Sequence, residues 1–240
     1  MTNVAVLNSQ THRTLCVQAG ASAALGDDQR FVPVIVGEFP LLVAHYPILF
    51  SKDAETGAFF CGAMLGFDPG ENLFLKAGGG QDAYRPLNLQ RGPFFTAGSD
   101  LAIDLDNPRL DPARGERLFT DEGQPTAYLE SIMALFRELR PGLERTRVFI
   151  DTLMGLKLIE PIHIDVAFDD GARRELAGLY TIDQDVLRAL PDAAALDLFR
   201  RGYLHLIYLM IASLKQVPVL ARKRNSRLLE GSDALAGSFG

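Results

Sequence analysis

Residues 31–50 read FVPVIVGEFPLLVAHYPILF, and the fold turns on how this stretch is read. It is the densest apolar run in the chain, cut by Pro33, Pro40 and Pro47 at seven-residue intervals. A membrane-spanning helix needs about 20 apolar residues with every backbone group bonded internally. Three prolines remove donors and break such a helix, and Glu38 and His45 would be costly at bilayer depth. The stretch therefore predicts short, extended, buried segments joined at X-Pro corners, the N-terminal part of a soluble core.

The global properties support a globular chain. At 240 residues it can bury a sizeable core. A net charge of −6 argues against a nucleic-acid binder, which presents a basic face. Cys16 and Cys61 sit in different surroundings and imply no disulfide framework. His12, His45, His163 and His205 show no ligand spacing, so neither a metal site nor a cofactor is expected. The first 20 residues lack a basic segment followed by an apolar one, and the run Leu204–Leu214 is too short to span. The expectation is a soluble, cytoplasmic protein without integral membrane association.

Outward from the central stretch, residues 4–7 and 14–18 predict short strands around a polar turn in which His12 is a turn or capping residue. Residues 20–30 are a small-residue connector. The polar loop 51–57 returns the chain into a buried strand over 58–67, where Cys61 acts as a small hydrophobe. Asp68-Pro69-Gly70 is a turn and 72–75 a short strand. Gly78-Gly79-Gly80 lacks the spacing of a phosphate cradle and reads as a loop. Residues 93–96 and 101–105 predict another hairpin. Residues 106–124 read as a linker; Asp104, Asp106 and Asp111 lack the calcium-loop pattern.

From Thr126 the period becomes helical. Leu129, Ile132, Met133, Phe136 and Leu139 share one face, with Pro141-Gly142 as the stop. A second helix over 143–156 presents Leu143, Ile150, Leu153 and Met154. Residues 162–168 alternate cleanly and turn at Asp169-Asp170-Gly171 into a returning strand over 174–181. Three short helices follow, with Asp183 and Asp192 as N-caps and Gly202 as a break. Beyond Pro218 the chain reads as a mobile basic tail. The fold class is α+β: an N-terminal, mostly antiparallel β half of short strands, and a C-terminal half of helices plus one β-hairpin.

Several stretches together resemble the SapC family of bacterial proteins. They are VPVIVGEFP at 32–40, HYPILF at 45–50, LGFDPGENLFL at 65–75, GLYTID at 178–183 and ALPDAAALDLFRRGYL at 189–204. The resemblance implies a single SapC-like domain over residues 1–220, β-rich over 1–106 and helix-rich over 126–220, with a flexible tail at 221–240. The family is named for a surface-layer gene cluster, and its members are labelled as surface-layer or peptide-transport components. No catalytic motif carries over, and the permease sense of that label conflicts with a chain read as having no spanning helix.

Three functions compete. The first is a soluble accessory or binding protein acting on a peptide or protein partner, linked to surface-layer or outer-membrane processes. The second is an enzyme of unrecognised type with Glu38, His45 and Tyr46 at a cleft, where a carboxylate orients an imidazole base. The third is a structural component of the surface layer, with a C-terminal signal in the Gly/Ser/Ala-rich end, Glu230 to Gly240. No catalytic residue is assigned; Glu38, His45 and Tyr46 are the candidate ligand-binding residues. Ionisable groups inside an apolar run must be bonded, paired or wetted. Either Glu38 accepts backbone N–H bonds and His45 is a satisfied core residue, or Glu38, His45 and Tyr46 border a cleft for a peptide or small polar ligand.

Overall fold

The computed structural model describes residues 3–236, with side chains as far as Leu229. The export signal placed at Glu230 to Gly240 falls on side chains outside that range. In chain order the elements begin with β1 (Val4–Val6), β2 (Cys16–Val17) and a 3-10 turn (Ala23–Leu25). Next come β3 (Phe31–Pro33), a 3-10 turn (Val36–Glu38), α1 (Phe39–Leu42), β4 (Ile48–Lys52) and β5 (Phe59–Met64). They continue with α2 (Leu87–Gln90), β6 (Phe94–Ala97), β7 (Asp100–Asp104), β8 (Glu116–Arg117) and the long α3 (Ala127–Gly155). The last are the hairpin β9 (Ile159–Ala167) and β10 (Arg173–Ile182), then α4 (Gln184–Arg188), α5 (Asp192–Arg200), α6 (Tyr203–Ser213) and α7 (Gln216–Ala236). The α+β class read from the sequence is the class observed.

The chain divides into two compact units that interleave in sequence. One comprises Met1–Asp28 with Phe74–Gly142, the other Gln29–Leu73 with Leu143–Gly240. The boundary therefore does not separate a β half from a helical half. In the first unit, β1 pairs with β7 and β7 with β6, all antiparallel, while β2 pairs with β8. Its interior centres on Asp27, whose carboxylate takes Arg85 at 2.8 Å and Arg109 at 2.5 Å. Arg109 also donates to the carbonyls of Gln18 and Gly20, and Ser22 N–H to Asp27. A buried pair of this kind persists only where its remaining hydrogen bonds are met, and Arg109 meets them with those two carbonyls.

The second unit is built on a five-stranded antiparallel sheet in the order β3-β5-β4-β10-β9. β4 and β5 are joined by a turn in which the Asp53 side chain accepts from Glu55 and Thr56 N–H. Both are apolar and largely buried, as continuous runs between turn residues require. β9 alternates between faces, with Ile164 buried and His163 and Asp165 exposed. β10 pairs with β9 through a bulge between Leu176 and Leu179, placing Ala177 and Gly178 outside the register. α6 packs on β4 and β10, burying Ile207 and Met210. Ser213 anchors it: its hydroxyl accepts Ile48 N–H at 2.8 Å and donates to Met210 O at 2.6 Å.

Several expectations are corrected. Pro40 does not mark an extended corner but opens α1, where a first-turn proline loses nothing. Residues 72–75 form no strand beyond the isolated bridge Leu75–Gln81. The supposed linker 106–124 is packed: it supplies β8 and buries Arg109, Leu118 and Phe119. Pro141 does not end a helix but lies inside the 29-residue α3. An interior proline costs about 3 kcal/mol, which is offset by burial of Leu129, Ile132, Phe136 and Leu139 before it and Phe149, Ile150 and Leu153 after it. Met133, Leu143 and Met154, assigned to buried faces, are exposed. Asp183 does cap α4, accepting from Asp185 and Val186 N–H, whereas Asp192 follows the cap residue Pro191.

Of the flexible tail expected at 221–240, the described part, 221–236, is helical, since α7 runs to Ala236, and 237–240 lie outside the described residues. Leu220 and Arg224 are buried, and Arg224 and Arg227 are tied to residues 68–72. The helical stretch Tyr203–Leu229 spans 27 residues, long and apolar enough by length and composition to cross a membrane. This stretch is longer than the apolar run Leu204–Leu214 because the helix continues past Lys215.

Candidate functional site

In the second unit a cleft of about 110 Å³ opens where β10 bulges. It is lined by Arg30, Phe31, Ser51, Met64, Gly66, Leu176, Ala177 and Leu179. The sheet explains the gathering, because β3 brings Phe31 opposite Met64 and β10 brings Leu179 opposite Ser51. Between them, Gly62 leaves room for the Phe31 ring: a Cβ there would lie 2.2 Å from it. Gly178, in the left-handed region at φ 77°, permits the bulge. Arg30 is exposed, its Nη1 3.4 Å from Phe67 O, and its own carbonyl accepts Leu65 and Gly66 N–H. Ser51 donates its hydroxyl to Gly178 O at 3.2 Å. The cleft thus offers one guanidinium, one hydroxyl and apolar walls.

None of these residues was a sequence candidate. The available signal was Gly178 inside a strand pattern, which marks a bulge; the convergence of β3, β4, β5 and β10 has no sequence signal.

Next to Gly66 the chain turns through Asp68-Pro69-Gly70-Glu71. Glu71 accepts Phe67 N–H at 2.6 Å, and a Cβ on Gly66 would lie 2.4 Å from Glu71 O, so only glycine fits. Asp68 takes Arg174 in a two-point contact at 2.6 and 3.2 Å and Arg224 at 3.1 Å. The hydrogen bond from Arg174 holds the Asp68 carboxyl below the usual carboxylate range. Arg224 also lies 4.0 Å from the Phe168 ring centre, and Arg227 donates to Asn72 O. This turn therefore clamps β10 and α7.

The family model for SapC matches residues 7–220. The chain belongs to the SapC family. No curated protein and no solved structure matches it.

The SapC-family motifs can now be read on this geometry. In VPVIVGEFP, Glu38 is 1% exposed and accepts Ile35 N–H at 2.9 Å, reaching back to the residue before the helical turn, a bond that the apolar Ile35 side chain does not reciprocate. Val36 N–H is taken by Thr146 Oγ1 at 3.0 Å. In HYPILF, Tyr46 is fully buried while His45 is exposed, with ring centroids 6.1 Å apart. So Glu38 takes the backbone-accepting role that one reading gave it, and His45 is not the core residue that reading required. Neither Glu38, His45 nor Tyr46 lines the cleft at β10. DPGEN is the clamp just described, and GLYTID carries the bulge glycine. Burial pushes the Cys61 thiol up, which leaves it an unreactive hydrophobe. His12 Nδ1 accepts Asn8 N–H within its turn.

Proposed function

We propose that this SapC-family chain is an accessory binding protein whose partner is a peptide or protein, captured through a carboxylate and the apolar side chain next to it. The observation that carries this reading is the composition of the cleft at β10. Arg30 is its only ionisable lining residue among the described residues, and a guanidinium matches a carboxylate in two-point geometry. Phe31, Met64, Leu176 and Leu179 offer an aliphatic and aromatic wall. At about 110 Å³ the cleft is well below the roughly 300–1,000 Å³ of sites that enclose whole small molecules. It suits one side chain of a longer ligand.

The composition favours binding over catalysis. Among the described lining residues Ser51 carries the one hydroxyl, which spends its proton on Gly178 O, and none is a base that could activate it. Surface-layer or outer-membrane export, the setting attached to the family, supplies partners of the proposed kind.

Fluorescence anisotropy of short labelled peptides with an apolar C-terminal residue tests the reading. Saturable binding of the free-acid peptide is expected, weakened about tenfold by C-terminal amidation or by Arg30→Glu, since a charge-assisted bond is lost. Binding that is absent for both peptides, or unchanged in Arg30→Glu, overturns it.

A further inference from the structure

The helical stretch Tyr203–Leu229 has a mean hydropathy of 1.5 over its most apolar 18 residues, yet only 22% of that window is buried. A core helix of such composition would be mostly covered. Here the covered side is narrow, with Ile207, Met210, Ser213 and Leu220 facing inward. The outward side follows the helical repeat: Tyr208 (58% exposed), Lys215, Val219, Arg222 and Leu229 (64%) recur at spacings of seven, four, three and seven residues. α5, packed against α6, adds Phe199, 68% exposed.

The charge of this stretch is as unusual as its exposure. Residues 203–229 hold five Lys or Arg and no Asp or Glu, in a chain whose net charge is −6. Arg224 spends its charge inward on Asp68 and Glu71, while Lys215 and Arg222 are exposed among the apolar side chains. An apolar face carrying an amphipathic tyrosine and cations without acids complements the headgroup and upper acyl region of an anionic bilayer. An acidic protein groove would match the cations but leave the exposed apolar surface of Phe199, Tyr208 and Leu229 unmatched.

We infer that α6 and α7 lie along an anionic membrane surface with this face against the lipid. The helix does not cross the bilayer. Crossing would strip Ser213 from Ile48, uncover Ile207 and Met210, and carry Arg222, Lys223 and Arg224 towards the hydrocarbon.

Cosedimentation of the full chain with phosphatidylcholine vesicles, with and without phosphatidylglycerol, tests this inference. Binding to the phosphatidylglycerol vesicles alone is expected at low salt, with release by high salt or carbonate. At about 1 kcal/mol per cation near such a surface, Lys215→Gln with Arg222→Gln weakens binding roughly thirtyfold. Both side chains are exposed, so the melting temperature of the double variant is expected to stay at the wild-type value. Tyr208→Ser is expected to weaken binding without altering its salt dependence. No cosedimentation at low salt, equal binding to neutral vesicles, resistance to carbonate, or a double variant that binds like wild type each overturns the inference. Capture of an acidic protein without any lipid binding does the same. The peptide titration above uses no vesicles, so the two readings fail separately.

Discussion

Arg224 joins α7 to the Asp68 turn: its Nη2 lies 3.1 Å from the Asp68 carboxylate while its guanidinium rests 4.0 Å from the Phe168 ring centre. The side chain is 11% exposed, so both contacts are made largely out of water. Hydrogen bonds to charged groups at such sites contribute about 1.5–3 kcal/mol. Arg224→Met is expected to lower stability by about 2 kcal/mol in urea denaturation, which is in that range. Amide exchange should quicken in α7 before it does in β4 and β5. Uniform acceleration throughout the second unit would show that α7 is not held chiefly here.

Acidification acts on the same turn. The folded-state pKa of Asp68 is depressed, first by the hydrogen bond from Arg174, so its contribution is complete above the ordinary value of 3.8 and is lost as pH falls through the lower folded value. Asp68→Asn should therefore be less stable than wild type at neutral pH, and the gap should narrow below about pH 4. Melting curves at several pH values check this; a gap that widens on acidification contradicts the assignment.

Glu38 and His45 should part company. Glu38→Gln disturbs a buried acceptor of the Ile35 N–H and is expected to cost about 1–3 kcal/mol. His45→Asn alters an exposed ring and should leave the melting temperature within about a degree, as most surface changes do. Equal destabilisation by both would contradict the exposure of His45.

The two crowded glycines rank each other. At Gly66 a Cβ would press on the backbone oxygen of Glu71 at 2.4 Å, which cannot move without opening the clamp. At Gly62 it would meet the Phe31 ring at 2.2 Å, a half-buried side chain able to swing. Gly66→Ala should cost more stability than Gly62→Ala, each within about 1–3 kcal/mol or above. Gly62→Ala, by displacing Phe31, should also weaken peptide binding. Equal stabilities in denaturant titrations would contradict the ranking.

Much of the fold was legible where physics is local. The hairpins at 48–64, 94–104 and 159–182 announced themselves by alternation, apolar runs and turn residues, and Asp183 by its capping position. Longer-range features had no such signal. Arg109 reads as one more loop charge until Asp27 is seen beside it, and Pro141 reads as a stop because burial on either side of it is a tertiary property. The site was less legible than the fold. Glu38 stood out because a carboxylate in an apolar run must be satisfied, and the geometry satisfies it within three residues, at Ile35. Arg30 and Ser51 were inconspicuous because their setting is made by four strands distant in sequence.

The pairing of β1 with β7, Val4 opposite Asp104, sets a timetable for synthesis. The ribosome releases about 5–20 residues per second, so the first strand waits roughly 5–20 s for its partner. The first unit cannot close until residues 29–73, which belong to the second, have already emerged. The second is left unfinished until β9 and β10 arrive. Neither half can be completed and set aside while the other is made. A nascent chain stalled anywhere before residue 100 carries only unpaired strand edges from its first unit, which makes it a substrate for whatever machinery shields such edges.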